Sequence, residues 1–143
     1  MLSETEVLAV IKRLKSIYHV EVNVKFAYNT QSKVRAEYYP TTNTIVFIKP
    51  IETTPYHEYG HALWHWLRRH KVKVASSSED FARRFSIMWL NINATGFRCI
   101  CGSQKLVPAT PVANPSIKLL WVKCLDCGRV YKLKNPLALR LHP

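Results

Sequence analysis

At 143 residues the chain has room for one ordinary domain, or for a minimal catalytic domain with a small appendage, and two large domains are excluded. Hydrophobic residues at 48% and charged residues at 21% predict a packed core and exclude wholesale disorder. The formal net charge of +12, from 21 Lys+Arg against 9 Asp+Glu, makes nucleic acid an expected partner, although charge alone confers no specificity.

The opening MLSETEVLAVIKRLK mixes acids and bases where a signal peptide carries an apolar stretch, and no apolar run approaches the roughly 20 residues of a membrane span. The expected location is therefore cytoplasmic, with no membrane partner. From residue 3 to 18, Val7, Val10, Ile11, Leu14 and Ile17 recur at helical spacing behind a Ser3/Glu6 capping box. Val20, Val22, Val24 and Phe26 then alternate with polar residues, as in a strand with one buried face. Two further strands are expected at Lys33–Tyr39 and Thr44–Ile48, with Pro40 and Asn43 in the turn between them.

Pro50 and Pro55 precede a segment of strong helical character, Tyr56 to His70. Ser76, Ser77 and Ser78 separate it from a second helix over about Glu79 to Asn93, whose Phe81, Phe85, Met88, Trp89 and Ile92 form an apolar stripe. Gly96 ends that helix. The texture then changes to short strand-like runs, prolines and all four cysteines, which predicts a boundary near residue 96 and two units, 1–96 and 97–143. The expected class is α+β: a helix, a small three-stranded sheet, two more helices and a cysteine-bearing module.

Within the first of those two helices, His57-Glu58-Tyr59-Gly60-His61 matches H-E-x-x-H. Positions i and i+4 share a helical face, so both imidazoles can reach one zinc ion about 2.0–2.1 Å from each nitrogen. Glu58, beside them, can take a proton from the metal's water and later pass it to a leaving amine. A third protein ligand is required, with one position left open. His65 continues the i+4 series but lies roughly 9 Å along the axis from a metal midway between His57 and His61, beyond the reach of an imidazole. Glu79 is the better third ligand, because it opens the next helix with small Ala82 and Ser86 on its face. Two structural roles compete for it: a Ser76-x-x-Glu79 capping box, or an i+4 pair with Arg83. If Ser77 is the N-cap instead, Asp80 takes the capping role and Glu79 is free.

The stretches H-E-Y-G-H-A-L-W-H and E-D-F-A-R-R-F resemble the signatures of gluzincin-type metallopeptidases, particularly the ImmA/IrrE-like proteases and the minigluzincins, over about residues 3 to 93. The resemblance implies zinc ligands His57, His61 and Glu79, with Glu58 as general base. It also implies an outer strand that lies along the cleft and binds an extended peptide, expected here at Thr44, Ile45, Val46, Phe47 and Ile48. The oxyanion-stabilising group of such enzymes stays open among Tyr38, Tyr39, Tyr56 and Tyr59.

Cys99-x-Cys101 and Cys124-x-x-Cys127 are chelating pairs separated by 22 residues, a spacing that suits two knuckles holding one structural zinc. Gly102 and Gly128 each follow a second cysteine, where a knuckle needs unusual backbone angles. Residues 97 to 143 hold eight Lys or Arg and a single acid, Asp126, with Trp121 and Tyr131 interleaved, a mix suited to nucleic-acid contact. This module resembles a zinc ribbon. The pairing of H-E-x-x-H with a ribbon is similar, more loosely, to the SprT-like DNA-associated proteases, whose usual third histidine this sequence does not clearly offer. The expected function is a zinc-dependent peptidase carrying two zinc ions, one catalytic and one structural, with a ribbon that targets it to protein or nucleic acid. The alternative is a nucleic-acid-binding or regulatory zinc protein on a degenerate peptidase fold.

Overall fold

The computed structural model describes residues 1–75, 77–109 and 119–134. The chain begins as its sequence predicts, with helix α1 (Glu4–Tyr18) opened by a reciprocal capping box between Ser3 and Glu6 and closed by His19 in the left-handed conformation. Val7, Ile11, Leu14 and Tyr18 bury its apolar stripe. Strands β1 (Asn23–Phe26), β2 (Ala36–Tyr39) and β3 (Thr44–Phe47) follow. Asn43, at φ 52°, makes the turn between β2 and β3, and its amide donates to the Glu21 carbonyl at 2.8 Å.

The strand order is β1-β3-β2, with β3 parallel to β1 and antiparallel to β2. This corrects the expectation of an outer strand at Thr44–Ile48. β3 lies in the middle of the sheet with both backbone edges already paired, and Ile48 falls just beyond it. The physical reason is composition. The run Thr44-Ile45-Val46-Phe47 is almost continuously apolar, as a strand covered on both faces must be, and three of its four residues are buried. Ala36-Glu37-Tyr38-Tyr39 alternates between exposed and half-buried, and the charged Glu37 suits an open edge. The free edge next to the helices is therefore β2.

Helices α2 (Thr54–Arg69) and α3 (Ser78–Thr95) then pack against each other. Pro55 lies inside the first turn of α2, where its missing N–H costs nothing, so α2 begins before the predicted Tyr56. All five predicted stripe residues of α3 are buried, and Gly96, at φ 72°, caps it. No helix among the described residues is long and apolar enough to cross a membrane.

A second sheet, antiparallel throughout, is made of β4 (Leu106–Pro108), β5 (Leu119–Cys124) and β6 (Val130–Lys134) in the order β4-β5-β6. The change of texture near residue 96 marks a change of architecture, yet the core runs through it. Leu106, Val107, Leu120, Val122 and Leu133 belong to the same buried cluster as Trp89, Phe85 and Tyr18. A buried relay fixes the junction: the Trp89 indole donates to the Tyr18 hydroxyl at 3.1 Å, and that hydroxyl donates to the Leu106 carbonyl. The described residues thus form an α+β fold of three helices and two three-stranded sheets.

Candidate metal centres

One turn of α2 carries His57 and His61 on the same face, their ring centroids 5.0 Å apart. Opposite them, α3 approaches closely because Gly60 has no side chain. A Cβ at residue 60 would lie 2.9 Å from the Ala82 Cα and 3.3 Å from the Phe85 ring. Ala82 and Ser86, the small residues singled out in the sequence, are both buried in this contact region of α3. The close approach brings the first turn of α3 over the two histidines.

Ser77 is the N-cap of α3 and accepts a hydrogen bond from the Asp80 amide at 3.2 Å. The Asp80 carboxylate turns to Arg83 and Arg84, at 3.2 and 3.0 Å. Glu79 is thereby left out of both competing roles, while Ser76, the other proposed cap, lies outside the described residues. The Glu79 carboxylate instead spans the pair, with Oε1 3.1 Å from His57 Nε2 and Oε2 3.1 Å from His61 Nε2.

Separations of 3.1 Å are those of hydrogen bonds from the rings to the carboxylate, and they are also near the spacing of donors around one metal ion. Donors each about 2.0–2.1 Å from one tetrahedral zinc stand about 3.3–3.4 Å from one another. Two imidazole nitrogens and the Glu79 carboxylate are donors that could hold a metal ion, and the 70% exposure of the Glu79 side chain leaves one side accessible. His65 stays out of the cluster. Its ring packs edge-on to Trp64 and tilted against Tyr38, although it does line the cleft.

Glu58 is buried beside the two histidines, and its carboxylate lies within 4.8 Å of their ring nitrogens, close enough to be a metal donor itself. Burial, with the Glu79 and Glu37 carboxylates adding repulsion, pushes its carboxyl up to about 7. Burial and the neighbouring His57 lower the pKa of His61, favouring the neutral ring that a metal requires. The outer ring nitrogen of His61, Nδ1, lies 3.2 Å from the Ser78 hydroxyl.

The site opens into a cleft of about 690 Å³. One wall is the β2 edge from Arg35 to Pro40; the other is α2 with the start of α3. Of the four tyrosines left open by the sequence, Tyr38 and Tyr39 line this cleft. Tyr38 lies parallel to the His61 ring at 6.4 Å and donates to Asn43 at 2.8 Å, and Tyr39 is bonded to Glu37. Tyr59 is core, its hydroxyl donating to the Val20 carbonyl at 2.7 Å, and Tyr56 stacks on Trp89.

The four cysteines converge at the other end of α3, all unpaired by disulfides, with their sulfurs within 4.8 Å of one another. Cys99 and Cys127 are 3.3 Å apart and Cys101 and Cys124 3.7 Å, against about 3.8 Å for thiolates sharing a tetrahedral zinc at about 2.3 Å. Gly102 and Gly128 adopt φ of 90° and 83°, and each amide donates back to the first cysteine of its pair, at 2.8 and 2.9 Å. Tyr131 is not on display for stacking. Its hydroxyl lies 3.1 Å from Cys99 Sγ and accepts from the Ile100 amide at 3.1 Å. Although desolvation opposes it, the Tyr131 hydroxyl, the Cys101 amide and neighbouring thiols bring the Cys99 thiol down to about 6. This four-sulfur group could hold a metal in a closed, structural site.

Sequence reasoning missed three features of the first centre: Ser78, the β2 wall and Gly60 as the point of helix approach. The first had no signal, since a serine at a helix start reads as a cap. The other two were available, in the alternation of 36–39 and in a glycine facing Ala82. No known family model, no curated protein and no solved structure matches the chain.

Proposed function

We propose that this chain is a zinc-dependent peptidase, with His57, His61 and Glu79 holding the catalytic metal and Glu58 as general base. The observation that carries this reading is the Glu79 carboxylate set 3.1 Å from both H-E-x-x-H nitrogens at the mouth of a cleft. A zinc ion in that set supplies a Lewis acid that polarises the scissile carbonyl and makes water nucleophilic near neutral pH. Glu58 takes the proton from the attacking water as the C–O bond forms, and returns it to the amine as the C–N bond breaks. The unpaired backbone edge of β2, from Ala36 to Tyr39, holds an extended substrate as an added strand, with side chains entering the cleft alternately. Casein hydrolysis by the wild type, lost in Glu58→Gln while metal content is kept, is the expected result; equal hydrolysis by both would overturn the reading.

A second zinc held by Cys99, Cys101, Cys124 and Cys127 is structural in this proposal, and the sheet it organises targets the enzyme. Trp121 is 40% exposed with the Lys132 ammonium 4.7 Å from its ring centre, and Lys123 and Arg129 are exposed on the same two strands or the turn joining them. An exposed ring among cations favours single-stranded nucleic acid as the partner. Salt-sensitive binding of a fluorescent oligonucleotide, weakened in Trp121→Ala and unchanged in Glu58→Gln, is expected. Equal binding by wild type and Trp121→Ala would remove this targeting role.

A further inference from the structure

A histidine binds metal through one ring nitrogen only if the proton resides on the other, and the group that receives that second N–H decides the tautomer and the angle of the ring. His61 presents Nε2 to Glu79 at 3.1 Å and Nδ1 to the Ser78 hydroxyl at 3.2 Å. Its side chain is 15% exposed, so little water competes for the second bond. The Ser78 hydroxyl is free for this role because the capping of α3 is done one residue earlier, by Ser77. Ser78 is also the neighbour of Glu79, so the first two residues of one helix touch opposite sides of the same site.

We propose that Ser78 is a positioning residue: with a metal bound, it accepts the Nδ1–H of His61 and so holds the ring with Nε2 aimed at the metal. This rests on the metal-site reading above. The start of α3 then supplies both a ligand and the orientation of a second ligand borne by α2. The pairing registers the two helices against each other at the place where the ligands must agree.

The test uses the full-length chain as wild type, Ser78→Ala, Ser78→Thr and Glu79→Ala. Zinc affinities are measured by competition with a chromophoric chelator, and the exchange of the His61 Nδ1 proton by nitrogen–proton correlation spectra of the imidazoles in zinc-loaded protein. Ser78→Ala is expected to weaken, by about ten- to a hundredfold, the zinc that Glu79→Ala removes, with the four-cysteine zinc unchanged. Ser78→Thr, which keeps the hydroxyl, is expected to recover most of that affinity. The Nδ1 proton of His61 is expected to exchange slowly with water in the zinc-loaded wild type and faster in Ser78→Ala. Wild-type affinity in Ser78→Ala, or an unchanged exchange rate of the Nδ1 proton, overturns the role of Ser78 while leaving the site intact. A wild type with no zinc that Glu79→Ala can remove overturns the site itself, and this proposal with it.

Discussion

Replacing Gly60 by alanine adds one methyl group at the tightest point between α2 and α3. The added Cβ would stand 2.9 Å from the Ala82 Cα, about 0.5 Å inside ordinary van der Waals contact. The obstacle is a main-chain atom, so trimming Ala82 to glycine does not relieve it and the helices themselves must part. Such overpacking costs about 1–3 kcal/mol, offset by about 1 kcal/mol of improved helix propensity. A net loss of about 1 kcal/mol corresponds to a fall of roughly 4 °C in melting temperature for a chain of this size. The larger effect falls on the proposed metal site. Glu79 lies one turn before Ala82, so a shift of about 0.5 Å reaches its carboxylate, whereas metal–ligand distances tolerate about 0.2 Å. Gly60→Ala is expected to bind its Glu79-dependent zinc at least about tenfold more weakly, with the four-cysteine zinc unaffected, as read by chelator competition beside a thermal melt. A variant that melts higher than the wild type and binds both zincs equally well would refute the argument that Gly60 sets the helix spacing.

In metal-stripped protein, Glu58 holds a proton up to about pH 7 that the unfolded chain releases near 4.5, so its contribution makes the fold less stable as pH rises between those values. Glu58→Gln is therefore expected to gain up to about 3 kcal/mol over the wild type on going from pH 5 to pH 8, measured by urea unfolding in chelator; an equal difference at both values would contradict the burial argument. Tyr18→Phe removes the central hydroxyl of the Trp89–Tyr18–Leu106 relay and leaves a buried N–H and a carbonyl without it, a loss of about 1–3 kcal/mol detectable in the same unfolding experiment. Cys124→Ser is expected to lower zinc content from two per chain to one, with the remaining zinc still removed by Glu79→Ala, as counted by elemental analysis.

What could be read from the sequence was local or periodic. The Ser3/Glu6 box, the α3 stripe and the cysteine knuckles with their glycines each occupy a few consecutive residues, and each has the predicted form. Glu79 could be weighed because Ala82 and Ser86 lie on its face, and His57, Glu58 and His61 come together on one turn as their spacing requires. Sheet order could not be read that way. A hairpin fixes that β2 and β3 are neighbours, but which of them takes β1 depends on which has two apolar faces, and the continuous run at 44–47 was a signal passed over. The placement of Tyr131 against Cys99 was likewise invisible, because it joins residues brought together only when the second sheet pairs.

The relay from Trp89 through Tyr18 to Leu106 ties three parts of the chain that lie far apart in sequence, and α3 runs between the two candidate metal centres with Glu79 at one end and Trp89 towards the other. A chain cut at residue 96 would keep every residue of the first centre and yet lose the cover over Trp89 and Tyr18, baring aromatic surface that invites aggregation. The shared core places both candidate centres on one packed body, so the second sheet contributes to the stability of α3 as well as to its own.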